Sequence, residues 1–262
     1  MRWRRFTAGN LSVGRRLTSE TYRVDAGARL IDRGKLGLDT KVTWDRQDFS
    51  ADNLNENDRA SLTMGLAYEP HPNREFSFNV FGGTGTSRPQ VPGGLRVRSR
   101  EWGATLSARG KLSAKLTGEI YGGVDSVRYR DAFRRSDVLP VAGGSVTWQA
   151  TAATRLSLAL DLGADFSPEG DALAARRATL AIDQTIVGPW RWQGRITPAE
   201  IDYHRTDRFR QDRTVGAGVS LVYEPSDRFR GAVAYDYTDS DSDQAFAVSR
   251  RHLTAASLTY RY

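Results

Sequence analysis

The sequence predicts an all-β fold, an antiparallel up-and-down transmembrane β-barrel of about fourteen strands with short turns at one end and longer loops at the other. Three observations predict it. Runs of strand length alternate apolar with small or charged residues at period two. The breaks between these runs are alternately short and long. The chain closes on H-L-T-A-A-S-L-T-Y-R-Y, from His252 to Tyr262, an alternating strand that stops on an aromatic.

The alternation is clean in several runs. Leu156, Leu158, Leu160, Leu162, Ala164 and Phe166 share one parity, while Arg155, Ser157, Ala159, Asp161, Gly163 and Asp165 share the other. Val215, Ala217, Val219, Leu221 and Tyr223 oppose Gly216, Gly218 and Ser220; Phe229, Gly231, Val233, Tyr235 and Tyr237 oppose Arg230, Ala232, Ala234 and Asp236. Leu36, Leu38, Val42 and Trp44 oppose Asp39, Lys41 and Asp45. Period two makes a poor helix and a good half-buried strand. Each run is expected to hold roughly the ten residues that a tilted membrane strand requires.

Short turns fall at 32–34, 69–73, 110–114, 150–154, 187–189 and 224–227, and longer polar segments at 49–57, 85–97, 129–136, 167–174, 204–210 and 240–247. Counted back from a periplasmic C-terminus, every short turn lands periplasmic and every long loop extracellular. Three hairpins share one plan, beginning at Tyr68, Trp148 and Tyr223: an aromatic ends a strand, a small turn follows, and an arginine precedes the next apolar run. The aromatic suits a lipid–water boundary, and Pro and Asp suit the turn. Trp102, Trp190 and Trp192 stand near strand ends, as girdle residues should.

Composition is compatible with this reading. Hydrophobic residues make up 39% of the 262 residues, and the mean hydropathy is −0.53. A membrane barrel needs only one apolar face per strand. No window approaches the ~18 consecutive apolar residues of a spanning helix. The absence of cysteine excludes disulfides, thiolate metal sites and cysteine nucleophiles. Lys and Arg number 38 against 31 acids, a formal net charge of +7, which favours anionic partners. Nucleic acid is not expected among them, because the charges alternate through strands rather than clustering on one element. A soluble propeller or sandwich is the competing fold; its packed core would have to accommodate Asp161, Asp165, Arg155 and Asp183, whereas a water-filled interior takes them at little desolvation cost. The basic N-terminus, Met1 to Phe6, lacks the apolar core of a secretory signal. A barrel must be exported, so the sequence is expected to be the C-terminal piece of something longer rather than a mature form or a mis-started frame. Residues 1–262 are expected to form one barrel domain.

The closing strand, with Leu258, Tyr260 and Tyr262 at alternate positions, resembles that of Gram-negative outer-membrane β-barrels, and the resemblance runs from about residue 5 to Tyr262. It implies an outer-membrane location, contact with lipid and lipopolysaccharide, and a role for Leu258, Tyr260 and Tyr262 as the signal read by the barrel assembly machinery. More loosely, the arginine-rich strands and the ending Leu-Thr-Tyr-Arg-Tyr are similar to the "putative β-barrel porin" proteins linked to exopolysaccharide loci. Two departures stand out: the missing signal sequence and a chain shorter than that group's.

Parity sends Arg23, Arg29, Lys41, Arg59, Arg109, Arg155, Arg177, Arg195, Arg230, Arg251 and Arg261 to the lumen, with Asp25, Asp39, Asp45, Glu119, Asp125, Asp161, Asp165, Asp183 and Asp236. Facing rows of opposite charge set ion preference in a bore; they also pair across strands and hold register. Of these, Arg23, Arg29, Lys41, Arg59, Arg155, Arg195, Arg230, Asp39, Asp161, Asp165, Asp183 and Asp236 are the selectivity candidates. About fourteen strands enclose more than side chains alone fill, since about eight already do so.

The expected role is therefore a passive channel for small hydrophilic or anionic solutes, acidic polysaccharide export included, without a cofactor. The alternative is a non-conducting surface or adhesion barrel, or a sheath for a partner protein. Segment 85–97, rich in Gly and Pro, is the candidate for a loop folding into the mouth. Segment 240–247 carries carboxylates but no EF-hand spacing, so no metal is expected there. An enzyme is not expected: His71, His204 and His252 are the three histidines, and only His204, near Glu200, Asp202 and Asp207, offers an acid–histidine pair, without a positioned nucleophile. No phosphate-binding or dinucleotide glycine motif occurs.

Overall fold

Residues that alternate at period two place one set on each face of a pleated ribbon, and neighbouring ribbons pair to satisfy their backbones. A computed structural model describes residues 2–9, 18–33, 35–49, 55–89, 96–130, 136–166, 172–204, 209–244 and 248–260. These form β1 (Arg2–Gly9), β2 (Thr18–Arg33), β3 (Leu36–Phe49), β4 (Asn55–His71), β5 (Arg74–Pro89), β6 (Val97–Ser113) and β7 (Leu116–Tyr129), followed by β8 (Asp137–Gln149), β9 (Thr154–Phe166), β10 (Ala172–Val187), β11 (Trp190–His204), β12 (Phe209–Ser226), β13 (Phe229–Ser242) and β14 (Ser249–Tyr260). They make one 14-stranded sheet in strict sequence order, and each consecutive pair is antiparallel, from β1·β2 to β13·β14. This is the up-and-down topology the alternation predicts. Among the described pairs, β1 meets only β2 and β14 meets only β13, so both are edges of the sheet. Residues His252 to Tyr260 of β14 are accordingly exposed on both faces.

The short connections close beside Lys35 and at 72–73, 114–115, 150–153, 188–189 and 227–228. Five of them are tied to the next strand: the Glu69 amide donates to the Lys35 carbonyl at 2.8 Å, Lys111 to Asn73 at 3.0 Å, Gln149 to Lys115 at 2.8 Å, Thr185 to Ala153 at 2.8 Å and Glu224 to Pro189 at 2.9 Å. In the 150–153 turn the Thr151 hydroxyl accepts from the amides of Ala153 and Thr154, at 3.1 and 3.0 Å, which is why A-T-A-A-T turns without Gly or Pro. At 188–189 the chain needs a left-handed residue, and Gly188, at φ +53°, supplies it.

Two expectations change at the opposite end. Strands β2 to β14 run well past ten residues; β12, with 18, is the longest. Residues 85–89, read as loop, belong to β5, which pairs with β6 through Ser87↔Val97 and with β4 through Asn55↔Pro89. Residues 240–242, read as loop, pair with β12 through Asp212↔Ser242. Gly, Ser and Asp are poor strand formers alone, but two paired neighbours satisfy their backbone groups and override the propensity. Residues 90–95, the remainder of the proposed mouth loop, lie outside the described residues, as does Arg261.

Register separates the two faces. One carries the apolar belt, which runs from Ala60 to Tyr68 on β4, from Trp190 to Pro198 on β11 and from Val215 to Tyr223 on β12, close to the roughly ten residues a tilted strand needs to cross a bilayer. Leu62, Leu66, Phe76, Phe78, Leu158, Leu160 and Ile196 stand exposed on it, as lipid-facing side chains do. Near the short turns it carries Tyr68, Phe76, Trp148, Trp190, Tyr223 and Tyr260; the Trp190 and Tyr223 rings lie 4.7 Å apart and Tyr223 and Phe229 6.4 Å. This is an aromatic girdle at one membrane boundary. Towards the long loops the same face turns ionic, with Arg46–Glu56 at 3.4 Å, Arg88–Asp58 at 3.3 Å, Arg176–Glu200 at 3.3 Å and Arg250–Asp239 at 3.1 Å. The strands therefore continue beyond the belt into water, which explains their length.

Candidate permeation surface

The face opposite the belt is the inner one. Backbone register puts Arg23 opposite Asp45, Arg29 opposite Asp39, Lys41 opposite Gly27, and Arg59 opposite Asp45 and Gly85. It puts Arg155 opposite Asp183, Arg177 opposite Asp161, Asp165 opposite Leu173, Arg195 opposite Gly218, and Asp236 opposite Gly218 and Leu253. Arg230 and Arg251 fall in the same parity, opposite Thr259 and Thr238. The charged parity of the sequence is thus one continuous inner face across all the described strands.

Many of these charges pair. Lys41 lies 3.3 Å from Asp25, Arg109 2.7 Å from Glu75, Arg195 2.6 Å from Asp236 and Arg230 3.6 Å from Glu224. Arg177 and Asp161 are 3.9 Å apart. Asp183 accepts from Gln193 at 2.8 Å and faces Arg191 at 3.7 Å. Arg155 donates through Nε to Gln149 at 3.1 Å. Together Arg155, Asp183, Gln193, Arg195 and Asp236 line a concavity of about 390 Å³ on the inner face.

Contacts also bridge strands that are not neighbours, and three of them, among the described residues, pass over a glycine. Arg59 of β4 reaches Glu101 of β6 across Gly83 of β5. The Tyr121 hydroxyl of β7 donates to Asp161 of β9 across Gly143 of β8, all three residues in one register row. Arg195 of β11 reaches Asp236 of β13 across Gly218 of β12, again one row. A Cβ on Gly218 would come within 2.5 Å of the Asp236 carboxylate and 2.9 Å of Arg195 Nε, and one on Gly83 within 2.6 Å of the Glu101 carboxylate. Strands two apart are separated by nearly 10 Å, so such contacts need a bare intervening backbone and a concave face. The sequence expectation missed Glu101, Tyr121 and Glu75 and all three glycines. Gly216 and Gly218 in one run were the available signal, but which side chains cross above them depends on strand order.

In the pairs Lys41–Asp25, Arg109–Glu75 and Arg195–Asp236 the cation is far more exposed than its acid: 59% against 25%, 61% against 16% and 62% against 31%. In these three pairs the basic group is the more accessible partner, whereas in Arg177–Asp161, Arg191–Asp183 and Arg230–Glu224 the two partners are about equally exposed.

The remaining candidates lie elsewhere. Glu200 and Asp202 stand on the outer face, where both accept from Gln211, at 2.6 and 3.1 Å, and both meet Arg176 at 3.3 Å. His204 ends β11, and Asp207 lies outside the described residues. His252 is on the outer face, its Nδ1 2.7 Å from the Tyr235 hydroxyl, and His71 ends β4 at a short turn. Leu258 and Tyr260 project from the outer face of the edge strand, opposite Gly231 and Phe229; Tyr262 is outside the described residues.

With this geometry in hand, three solved structures are informative. The FrpB iron transporter of Neisseria meningitidis (F3-3 variant) superposes with a TM-score of 0.62 at 10% identity, over 94% of this chain and 49% of its own. The pyoverdine-bound FpvA of Pseudomonas aeruginosa gives 0.62 at 10% identity, over 96% and 47%. The alcaligin outer-membrane receptor FauA of Bordetella pertussis gives 0.55 at 13% identity, over 94% and 51%. The chain spans about half the length of these structures, and at such identities the likeness is one of fold. No curated protein matches the chain. A sequence family described as "Putative beta-barrel porin 2" matches residues 32–262. The alternating strands, the apolar belt and the charged inner face thus describe an outer-membrane β-barrel protein, and the chain belongs to that "Putative beta-barrel porin 2" family.

Proposed function

We propose that the chain forms a passive pore for small hydrophilic solutes, with a preference for anions and acidic sugars. The observation that carries this reading is the unequal exposure of three inner-face pairs: Lys41, Arg109 and Arg195 are open to solvent while their carboxylates are largely covered. An anion in transit meets donors; a cation meets the better-shielded half of each pair. Arginine suits carboxylate-bearing solutes further, because its planar fork binds two oxygens at once. Export of acidic polysaccharide is the extended form of the same reading. Leu258, Tyr260 and Tyr262 are proposed as the segment that the assembly machinery engages, on the strength of their alternate positions in the sequence and of the exposure of Leu258 and Tyr260 on the edge strand.

The test is single-channel recording of the refolded protein in a planar bilayer under a salt gradient. A reversal potential on the anion side that moves towards zero in the Arg155→Ala, Arg195→Ala double variant supports the reading. Cation preference, or a potential indifferent to both substitutions, refutes it.

A further inference from the structure

Two adjacent rows of the inner face meet in the concavity of about 390 Å³ that spans β9 to β13. In the first row Ser157, Ala181, Arg195, Gly218 and Asp236 stand side by side. Its middle is low because Ala181 and Gly218 carry almost no side chain, and the Arg195–Asp236 bridge lies across Gly218 as one wall. In the second row Arg155, Asp183, Gln193, Ser220 and Ala234 stand side by side. Here a chain of hydrogen bonds fixes the side chains: the Ser220 hydroxyl donates to Gln193 Oε1 at 3.3 Å, and Gln193 Nε2 donates to Asp183 Oδ2 at 2.8 Å. The rows lie about 7 Å apart along the strands, and five strands span about 19 Å across them. The volume stands at the lower end of the roughly 300–1,000 Å³ that small-molecule sites occupy, which suits one monosaccharide rather than a chain of them.

The charged side chains of this hollow are not equally engaged. Arg109, Arg177, Arg195 and Arg230 each pair with a carboxylate, whereas Arg155 meets none among the described residues. Its contact is neutral: Nε donates to the Gln149 side chain at 3.1 Å. A guanidinium held through Nε alone keeps the Nη edge that grips a planar carboxylate with two parallel hydrogen bonds. Two acids line the same hollow, each with one oxygen taken. Asp183 Oδ2 accepts from Gln193, while its Oδ1 stands 3.7 Å from Arg191, too far for a hydrogen bond. Asp236 Oδ1 accepts from Arg195 at 2.6 Å. The second oxygen of each acid is an acceptor for a hydroxyl group. Two arginines against two aspartates leave the hollow without net charge, so a bare inorganic anion gains little there from the field. A ligand gains by offering a carboxylate and hydroxyl donors together.

We propose that the hollow is a binding subsite for one sugar acid, a monosaccharide with a carboxylate beside several hydroxyls. The carboxylate lies on the Arg155 fork, and the hydroxyls donate to the second oxygens of Asp183 and Asp236. Neutral sugars lack the first contact, and small carboxylates such as acetate lack the second. Five neighbouring strands and their own contacts form the subsite. It rests on the pore reading for its consequence alone, that sugar acids dwell in transit where simple anions pass.

The refolded full chain in detergent micelles is dialysed to equilibrium against radiolabelled glucuronate, with unlabelled glucose or acetate as competitor. Saturable binding is expected. Glucose and acetate are expected to compete about tenfold more weakly or worse, since each forfeits one set of charge-assisted hydrogen bonds. Arg155→Gln is expected to lower glucuronate affinity by about tenfold or more on the same ground. Arg155→Lys, which keeps the charge and loses the fork, replaces it if the glutamine variant lacks the heat-modified migration of a folded barrel. Acetate that competes as well as glucuronate overturns the subsite, because charge alone then explains binding. So does a folded Arg155 variant that binds glucuronate as its parent does. A chain that binds glucuronate in the expected pattern yet carries no current in a bilayer refutes the pore reading and leaves the subsite standing. Anion-selective current without saturable glucuronate binding does the reverse.

Discussion

Glu101 shows how the inner face is held at the scale of single residues. Its side chain is only 4% exposed and Arg59 is its partner; Gly83 leaves room for the crossing. Removing the arginine strands a carboxylate away from water, and an unsatisfied buried group costs about 1–3 kcal/mol. Arg59→Ala is therefore expected to lower stability by that amount, read as the urea midpoint of unfolding from lipid vesicles. The Arg59→Ala, Glu101→Gln double variant is expected to recover most of it, because the buried charge is gone. Equal losses in both would mean that Arg59 contributes packing and not charge. Arg59 was legible in the sequence by parity. Its partner was not, because Glu101 lies 42 positions away and on a strand two removed.

At the scale of elements, alternation and turn chemistry located nearly every hairpin. The short turns were legible because Pro, Gly, Asp and Thr punctuate them. The 188–189 turn depends on a single backbone conformation: Gly188 sits at φ +53° with no atom within 4 Å of where a Cβ would be. The cost of Gly188→Ala is thus conformational and not steric, about 1 kcal/mol for a left-handed L-residue, visible as a small fall in the unfolding midpoint. Gly188→Asn is expected to cost less, since Asn tolerates that region; an alanine variant as stable as its parent would contradict the assignment. The long-loop ends were misread for the opposite reason. Residues 85–89 look like loop by composition, yet β4 and β6 pair with them on both sides and draw them into the sheet.

For the whole molecule the outer face decides where the chain can reside. Leu160 is 55% exposed in the middle of the apolar belt, and an arginine at the bilayer midplane of a barrel costs about 2–4 kcal/mol. Leu160→Arg is expected to show that loss in refolding into vesicles. Ser145→Arg, on the inner face opposite Glu119, is expected to fold with nearly wild-type stability. If both arginines are tolerated alike, the faces are wrongly assigned. The sequence by itself determined the all-β class, the strand order and the two parities, because period-two patterning and turn residues are local properties that every hairpin repeats. The tertiary structure alone decided which side chains meet over Gly83, Gly143 and Gly218 and how far the strands outrun the membrane. Those depend on register and curvature among strands far apart in the chain, which local pattern does not encode.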